Sequence, residues 1–183
     1  MDEKNVLNKE FFERNTLEVA KDLLGCILVK KENGKFFKGK IVETEAYTQD
    51  DPACHAYKGK TKRASTLFKE PGIAYVYMIY GMYFCVNVVT EPYDVAGAVL
   101  IRALEPIDNI ENTNGPGKLC KALDITKKHN EINLCSFNSE LFIIKGENIS
   151  PSQIVETSRI GIKQATEKPW RFYIKDNPFV SKK

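Results

Sequence analysis

The segment Ile41–Tyr47, which reads IVETEAY, contains the residue types best suited to acid–base chemistry. Apolar residues precede the acids, so the pattern predicts a strand running outward from the core. Side chains two positions apart on a strand face the same way, which puts Glu43, Glu45 and Tyr47 on one face. One carboxylate could then act as a general base at a pocket while the other supports it. The spacing equally allows both acids to be surface groups.

Arg102 is the natural counter-ion for these acids. It is the basic residue in an otherwise apolar stretch, AGAVLIRAL at 96–104, for which the pattern predicts another strand. A buried arginine needs a partner, and a carboxylate held beside an arginine favours its ionised form. The sequence does not decide whether Arg102 meets Glu43 or Glu45.

The stretch 74–89, AYVYMIYGMYFCVNVV, is typical of an aromatic β-hairpin with Tyr80, Gly81 and Met82 at its tip. Gly81 supplies the backbone freedom that a tight turn needs. Tyr80 and Met82 would project from the tip, and a soluble protein gains little by exposing large apolar groups. Such a tip can wedge between stacked bases. The alternative is that the tyrosines of this stretch belong to the core.

Further elements are predicted on either side of these segments. A helix over 15–24 would be capped by Asn15 and ended by Gly25. Strands are predicted over 26–30 and 40–47, joined by a hairpin turn at Asn33–Gly34. The polar stretch 48–69 is irregular. A short helix over 118–123, strands over 141–145 and 170–174, and a frayed tail at 181–183 complete the chain.

The composition is that of an ordinary globular protein, with 43% hydrophobic and 28% charged residues. Its 183 residues fit one domain, spanning 1–183. The N-terminus has no apolar signal region and no stretch approaches the ~20 apolar residues of a membrane span, so we expect an intracellular, cytoplasmic protein without membrane contact. Five cysteines without a CxxC pair, and only two histidines, leave no plausible zinc cluster. We therefore expect neither metal nor cofactor.

The net charge of +3 argues only weakly for a nucleic-acid partner, but the local distribution says more. A basic segment directly precedes the aromatic hairpin, and its side chains are Lys58, Lys60, Lys62, Arg63 and Lys69. A solvated surface explains most such runs. Basic residues beside exposed aromatic groups are nonetheless the composition that a DNA-backbone footprint needs.

Six blocks, in order, cover nearly the whole chain: IVETEAY at 41–47, YVYMIYGMYFCVNVV at 75–89, VLIRALEP at 99–106, GPGKLCKAL at 115–123, RIG at 159–161 and RFY at 171–173. Together they resemble the alkyladenine (3-methyladenine) DNA glycosylases, which are single-domain base-excision enzymes. The expected fold is α+β, with a curved, mostly antiparallel sheet, peripheral helices and a protruding β-hairpin. The implied activity is monofunctional: a damaged purine, alkylated or deaminated, is flipped from double-stranded chromosomal DNA and its N-glycosidic bond is hydrolysed, leaving an abasic site. We expect a monomer.

The resemblance also assigns catalytic roles. Glu45 matches the general base that activates a water for attack on the anomeric carbon of the sugar. Arg102 matches the arginine that helps to hold that base and water, and Ile160 the position whose backbone carbonyl also holds the water. A carboxylate at this place should also stabilise a cationic sugar in the transition state.

The remaining matches concern the base and the DNA. Tyr47 and His55 match residues that stack on one face of the flipped base, and Tyr77 the residue on the other face. The main-chain amide of His55 would bond the base edge. Asn87 and Leu100 match the pocket wall, with Asn87 placed to exclude the amino group of normal guanine. The tip of the hairpin, Tyr80 with Met82, would be inserted into the minor groove.

Two other interpretations stay open at the level of sequence. The chain could be a catalytically silent binding module for distorted or damaged DNA, which would use the same basic segment and hairpin and leave Glu45 idle. A carbohydrate hydrolase built on Glu43 and Glu45 is the other. Neighbours on one strand face lie ~7 Å apart, within the inverting range, but they point the same way and so cannot easily flank a sugar ring.

Overall fold

The fold is organised by one long strand, β2 (Lys35–Thr48), in a computed structural model that describes residues 3–182. The first half of β2 pairs with β1 (Ile27–Glu32), and its second half pairs with β8 (Arg171–Ile174). On the other side it pairs along most of its length with β5 (Gly97–Asp108). The IVETEAY segment therefore lies between two partner strands in the middle of the sheet.

Eight strands of the described residues form one sheet, and every pairing in it is antiparallel. Its main order is β3 (Ala74–Ile79), β4 (Tyr83–Thr90), β5, β2, β1, β6 (Leu141–Ile144). A further strand, β7 (Ile154–Thr157), pairs with β8. Register shifts in the β2–β5 ladder lie around Glu43, and such bulges bend a strand and increase its twist. The predicted α+β class and curved antiparallel sheet are confirmed.

The helices are short and flank the sheet: α1 (Lys9–Phe12), α2 (Thr16–Asp22) and α3 (Pro116–Ala122). Single 3₁₀ turns lie at Glu3–Asn5, Ser65–Phe68, Lys127–His129 and Pro151–Gln153. The predicted cap is present, because Asn15 Oδ1 accepts a hydrogen bond from the Leu17 amide at 2.9 Å. Gly25, with φ +87°, follows the helix, and a Cβ there would lie 2.2 Å from the Glu147 carbonyl oxygen.

The β3–β4 pair forms the predicted hairpin, with its turn at Tyr80–Met82. Tyr80 and Gly81 both have positive φ, +51° and +68°, and the Met82 amide bonds the Ile79 carbonyl at 3.2 Å. This mirror-image turn matches the right-handed twist of the flanking strands. Tyr80 is 87% exposed and Met82 68% exposed. Tyr75, near the start of β3 and away from the turn, is buried. The tyrosines of this stretch therefore divide between the core and the surface.

Two expectations for irregular segments need correction. The polar stretch 48–69 is partly core, because Cys54, Leu67 and Phe68 are buried within it. The tail is tied down at Ser181 and Lys182: the Ser181 amide donates to Glu43 Oε2 at 2.7 Å, and the Lys182 carbonyl accepts from Arg171 at 2.8 Å. Lys183 lies outside the described residues.

The five cysteines, all within the described part of the chain, are free thiols. Burial raises the pKa of Cys26 and of Cys85, each to about 11, as expected for thiols inside apolar strands. None of the helices in residues 3–182 has the length and apolar character needed to traverse a bilayer.

Phe172 tests how far the sheet centre supports the fold. Its ring is fully buried, and its residue pairs with Thr44 on β2 beside the two acids. We expect Phe172→Ala to lower the free energy of unfolding by about 3–5 kcal/mol, because it removes a large core side chain and leaves a cavity. Urea denaturation measures this. The control is Tyr93→Ala at an exposed loop position, where a change within about 0.5 kcal/mol is expected; equal effects at the two positions would contradict the prediction.

Candidate active site

The Glu45 carboxylate lies at the centre of a compact hydrogen-bonded group. Its Oε1 accepts from the Ile160 amide at 2.7 Å and lies 3.3 Å from Arg102 Nη1. Its Oε2 accepts from the Tyr47 hydroxyl at 2.7 Å. Strand β2 supplies Glu45 and Tyr47 two positions apart, β5 supplies Arg102, and the loop after β7 brings Ile160 from far along the chain. The predicted common face of Glu45 and Tyr47 is thereby observed.

Arg102 meets both glutamates, which answers the question that the sequence left open. Its Nε lies 3.4 Å from Glu43 Oε1 and its Nη1 lies 3.3 Å from Glu45 Oε1. Glu43 also pairs with Arg171 Nη1 at 2.8 Å. Glu43 is thus held by two arginines and the Ser181 amide. It supports Glu45 through the arginine that the two acids share.

Burial dominates the electrostatics of Glu45. The side chain has no exposed surface, and this desolvation raises the pKa of its carboxyl above the usual range. Arg102, the Ile160 amide and the Tyr47 hydroxyl act in the opposite direction, because each stabilises the ionised form. A carboxylate with a raised pKa is a stronger base than one in water, and it is the kind of group that general-base catalysis uses.

A cavity of about 650 Å³ lies on the other side of the groups that hold Glu45. Of the residues predicted for the site, those in its wall are Tyr47, His55, Tyr77, Tyr80, Asn87, Leu100, Arg102 and Ile160. Glu45 is behind this wall, covered by Tyr47, Arg102 and Ile160. Met82 is on the hairpin turn, outside the wall.

Three aromatic side chains of the cavity are in mutual contact. The His55 and Tyr77 rings are edge to face, with centroids 4.7 Å apart. His55 Nδ1 is 2.9 Å from the Tyr75 hydroxyl, and the Tyr75 and Tyr77 centroids are 5.3 Å apart. Burial, aided by the charge of Arg63, lowers the pKa of His55 to about 4. The His55 ring is therefore neutral at pH 7.

Asn87 and Leu100 form a paired position on neighbouring strands of the cavity wall. Asn87 is buried within β4, and its amide nitrogen donates to the Tyr75 carbonyl at 3.0 Å. With this bond made, the side-chain oxygen is the free end of the amide. Asn87 lies inside β4 rather than at its end.

Several residues in or beside the cavity wall were not predicted to lie there. Arg63 lies in the cavity wall with its guanidinium carbon 5.5 Å from the Tyr77 ring centroid. Residues 161–164 extend the wall beyond Ile160. Arg159 and Asp51 form a buried ion pair beside Tyr47. Arg159 belongs to the RIG motif at 159–161, so the sequence offered a reason to examine it. Asp51 lies in the polar stretch 48–69, where no pattern marks it.

A metal centre finds no support in the described residues, since no group of three or more His, Cys, Asp or Glu side chains is arranged to hold an ion. Within the same residues, no carboxylate pairs with Lys58, Arg63 or Lys163 of the cavity wall, or with Lys62 of the basic segment. Lys60 and Lys69 of the basic segment pair with Asp94 and Glu131. Part of the basic segment is thus neutralised and part remains available.

Comparison with known proteins finds a matching family. The family model described as methylpurine-DNA glycosylase matches residues 10–178. Three relatives carry the name "Putative 3-methyladenine DNA glycosylase". The protein of Carboxydothermus hydrogenoformans is 50% identical, over 97% of this chain and 100% of its own length. The protein of Clostridium perfringens strain SM101 is 48% identical, over 97% of this chain and 99% of its own length. The protein of Francisella tularensis is 48% identical, over 92% of this chain and 94% of its own length.

The match extends along nearly all of the chain and covers β2, the hairpin, β5 and the loop with Ile160. The resemblance inferred from the six sequence blocks is therefore confirmed. The chain belongs to the methylpurine-DNA glycosylase family.

Proposed function

We propose that this protein releases damaged purines from double-stranded DNA by hydrolysing the N-glycosidic bond, with Glu45 as the general base. The observation that carries the proposal is the placement of the Glu45 carboxylate, held by Arg102, Tyr47 and Ile160, directly behind an aromatic cavity. Family membership provides the reaction class, a DNA glycosylase in base-excision repair. The substrate class and the residue roles are the proposed part.

A free hydrogen-bonding position supports a water at Glu45 Oε2, which would reach it when one of the side chains that cover Glu45 moves aside. A carboxylate oxygen can accept about two hydrogen bonds. Oε1 already interacts with the Ile160 amide and Arg102, whereas Oε2 accepts from the Tyr47 hydroxyl. A water bound at Oε2 beside Tyr47 would donate its proton to the carboxylate and attack the anomeric carbon. The Ile160 carbonyl was expected to hold this water; its amide is the group that bonds Glu45 here, and the carbonyl remains a proposed second contact.

The cavity has the size of a small-molecule site, which typically encloses about 300–1,000 Å³. A base stacked between two rings needs them ~7 Å apart, which is twice the base step of DNA. The His55 and Tyr77 centroids are only 4.7 Å apart. Entry of a purine between Tyr77 and the pair Tyr47–His55 therefore requires His55 to move away from Tyr77, which breaks or stretches its bond to Tyr75.

Chemistry favours an alkylated purine as the substrate. Such a base carries a positive charge, so it stacks well on the faces of Tyr47 and Tyr77. It is also a good leaving group, and water activated by Glu45 suffices to release it. Asn87 and Leu100 are the proposed discriminating wall, in which the bulk of the Asn87 side chain would leave no room for the amino group of normal guanine. The His55 main-chain amide is a proposed contact on the same edge.

Flipping a nucleotide out of the duplex costs a few kcal/mol, and less for a damaged base that pairs poorly. The hairpin tip suits the task of filling the vacated space. Tyr80 is almost fully exposed and has a positive φ, which is rare for a bulky residue and costs about 1–3 kcal/mol. Backbone strain that presents an aromatic ring to solvent is consistent with a binding role. Met82 follows it on the same turn and is the proposed second apolar contact.

Charge supports the DNA backbone as the second contact. Lys58, Arg63 and Lys163 lie in the cavity wall, and no described carboxylate pairs with them. Such cations can bind phosphates on either side of the flipped nucleotide. Chromosomal DNA as substrate and five free cysteines together support an intracellular protein in a reducing compartment. We propose that one copy of the chain, as a single domain, performs the whole reaction.

Glu45→Gln separates catalysis from binding. The amide keeps the shape of the side chain but cannot take a proton from water, so we expect single-turnover release of 3-methyladenine to fall at least about 100-fold. Binding to lesion-containing duplex should stay within a few-fold of wild type. Incubation with methylated DNA followed by alkali counts the abasic sites. Glu156→Gln, a surface glutamate paired with Lys21, is the control and should behave as wild type.

A rate near that of wild type for Glu45→Gln would refute the assignment of the base. If the wild-type protein itself bound methylated duplex without producing alkali-sensitive sites, it would be the silent binding module instead.

Tyr80→Ala tests the hairpin tip. Loss of the ring removes a stacking contact worth about 1–3 kcal/mol, so the flipped fraction should drop by about tenfold. 2-Aminopurine fluorescence beside the lesion reports flipping when protein and duplex are mixed. Tyr93→Ala is the matched control, because Tyr93 is exposed but lies in the turn at the opposite end of β4. The same fluorescence change with Tyr80→Ala and wild type would exclude the wedge.

Tyr47→Phe shifts the pH dependence and leaves the stacking ring in place. The Tyr47 hydroxyl stabilises ionised Glu45 and so lowers a pKa that burial has raised. Without the hydroxyl the pKa of Glu45 rises further, and the active carboxylate is lost at a higher pH as the solution is acidified. The acid limb of the single-turnover rate should therefore move to higher pH. A limb that stays in place, or moves to lower pH, would contradict this arrangement; Tyr93→Phe should leave it unchanged.

A further inference from the structure

We propose that Arg159, fixed by Asp51, is a positioning residue for base excision: it orders both Tyr47 and Ile160, the two groups that hold Glu45 alongside Arg102. The inference rests on the proposed function, since it concerns the same carboxylate. Arg159 does not touch the cavity and would act only through its neighbours. Three contacts connect Arg159 to the site: a buried ion pair with Asp51, a stack on the Tyr47 ring, and the peptide bond to Ile160.

The ion pair fixes the guanidinium group. Arg159 Nη2 donates to Asp51 Oδ1 at 3.1 Å, and Nη1 pairs with Asp51 Oδ2. Nη1 also donates to the Ala46 carbonyl at 3.0 Å. Both charged side chains are completely buried. The planar fork of an arginine suits this two-point contact, and a lysine could not reproduce it. The guanidinium is thus anchored to β2 at the residue between Glu45 and Tyr47.

The ring stack connects Arg159 to Tyr47. Its guanidinium carbon lies 4.7 Å from the Tyr47 ring centroid and 5.3 Å from that of Trp170. Arg159 therefore contacts two aromatic rings, and its guanidinium packs against the face of the Tyr47 ring. A tyrosine held in this way keeps its hydroxyl at 2.7 Å from Glu45 Oε2. If the guanidinium is lost, the Tyr47 ring can shift, and the bond to Glu45 is loosened.

The chain connects Arg159 to Ile160. The Ile160 amide, which donates to Glu45 Oε1 at 2.7 Å, belongs to the next residue. Arg159 Nη2 also reaches the Ala165 carbonyl at 3.4 Å, so the same side chain holds the loop that follows. Residue 160 lies on an irregular segment with no strand neighbours of its own. The buried Arg159–Asp51 pair anchors this segment to β2, together with the bond from Arg171 Nε to the Ser158 carbonyl at 3.0 Å.

Several charged or titratable groups face Glu45 from the elements around it: Glu43 and Tyr47 on β2, Tyr77 on β3, Cys85 on β4, Arg102 on β5, and Arg159 before Ile160. Displacing Tyr47 and Ile160 would remove two groups that stabilise the ionised carboxylate, while Arg102 would remain. The pKa of Glu45 would then rise. A loss of packing alone would change stability without changing the pKa of Glu45.

The test compares Arg159→Lys and Asp51→Asn with wild type in single-turnover release of 3-methyladenine, as a function of pH. We expect both variants to be slower by about 10- to 100-fold, the size of effect that follows from a displaced catalytic group. Arg159→Lys keeps the positive charge, so its acid limb should move to higher pH; for Asp51→Asn the rate is the readout, because the lost negative charge acts on the pKa of Glu45 in the opposite direction. Arg14→Lys is the matched control: Arg14 also stacks on a ring, that of Phe11, and pairs with an aspartate, Asp22, but away from the site. It should keep the wild-type rate and limb.

The same substitution in a Tyr47→Phe protein tests whether Arg159 acts through the Tyr47 hydroxyl. In a Tyr47→Phe protein the Tyr47 hydroxyl no longer bonds Glu45, so Arg159→Lys should reduce the rate by a smaller factor than in wild type. Such coupling between residues is the signature of a shared interaction. Trp170→Leu removes one ring of the stack and keeps every hydrogen bond of Arg159. It should slow excision several-fold with the same direction of pH shift, and it decides the matter if the Arg159 and Asp51 variants fail to fold.

Three results would overturn the inference: folded Arg159→Lys and Asp51→Asn proteins with the wild-type rate and acid limb, equal reduction factors in the wild-type and Tyr47→Phe backgrounds, or a Trp170→Leu protein unchanged in rate. Failure of the proposed function looks different, because the wild-type protein and Arg14→Lys would then also release no base.

Discussion

The arrangement depends on one buried carboxylate whose charge the protein must stabilise without help from solvent. Glu45 has no exposed surface, so water cannot solvate its charge. Arg102, the Tyr47 hydroxyl and the Ile160 amide replace that solvation. Desolvation still dominates and raises the pKa of the carboxyl, which makes it a better base. Reactivity and burial are thus two results of the same placement.

Two glutamates on one strand face have separate tasks because their partners differ. Glu43 interacts with Arg102, Arg171 and the Ser181 amide, so its carboxylate is occupied by structural contacts. Those contacts close the C-terminal segment over β2 and orient Arg102. Glu45 shares Arg102 but otherwise bonds groups of the cavity wall. Bulges of the β2–β5 ladder lie on either side of Glu43, where one arginine contacts both acids.

The cavity and the hairpin represent two different mechanical demands. In the cavity, His55 packs edge to face against Tyr77 at 4.7 Å and bonds Tyr75. At the hairpin tip the main chain has positive φ at Tyr80, which presents the ring to solvent. The proposed function would need a His55 side chain that can move and a hairpin turn that holds Tyr80 in place. The long β3–β4 ladder supplies the rigidity.

Local pattern was sufficient for much of this protein. The period of two along IVETEAY placed Glu45 and Tyr47 on one face, a turn glycine between aromatic runs indicated the hairpin, and Asn15 with Gly25 marked the ends of a helix; these signals depend on near neighbours in the chain. The tertiary structure alone decided that Arg102 meets both acids, that Ser181 is docked, and that Asp51 and Arg159 form a buried pair. Ile160 meets Glu45 across 115 positions, and Arg159 meets Asp51 across 108. Contacts between such distant residues exist only once the sheet has closed, because burial and hydrogen bonding there depend on packing rather than on spacing.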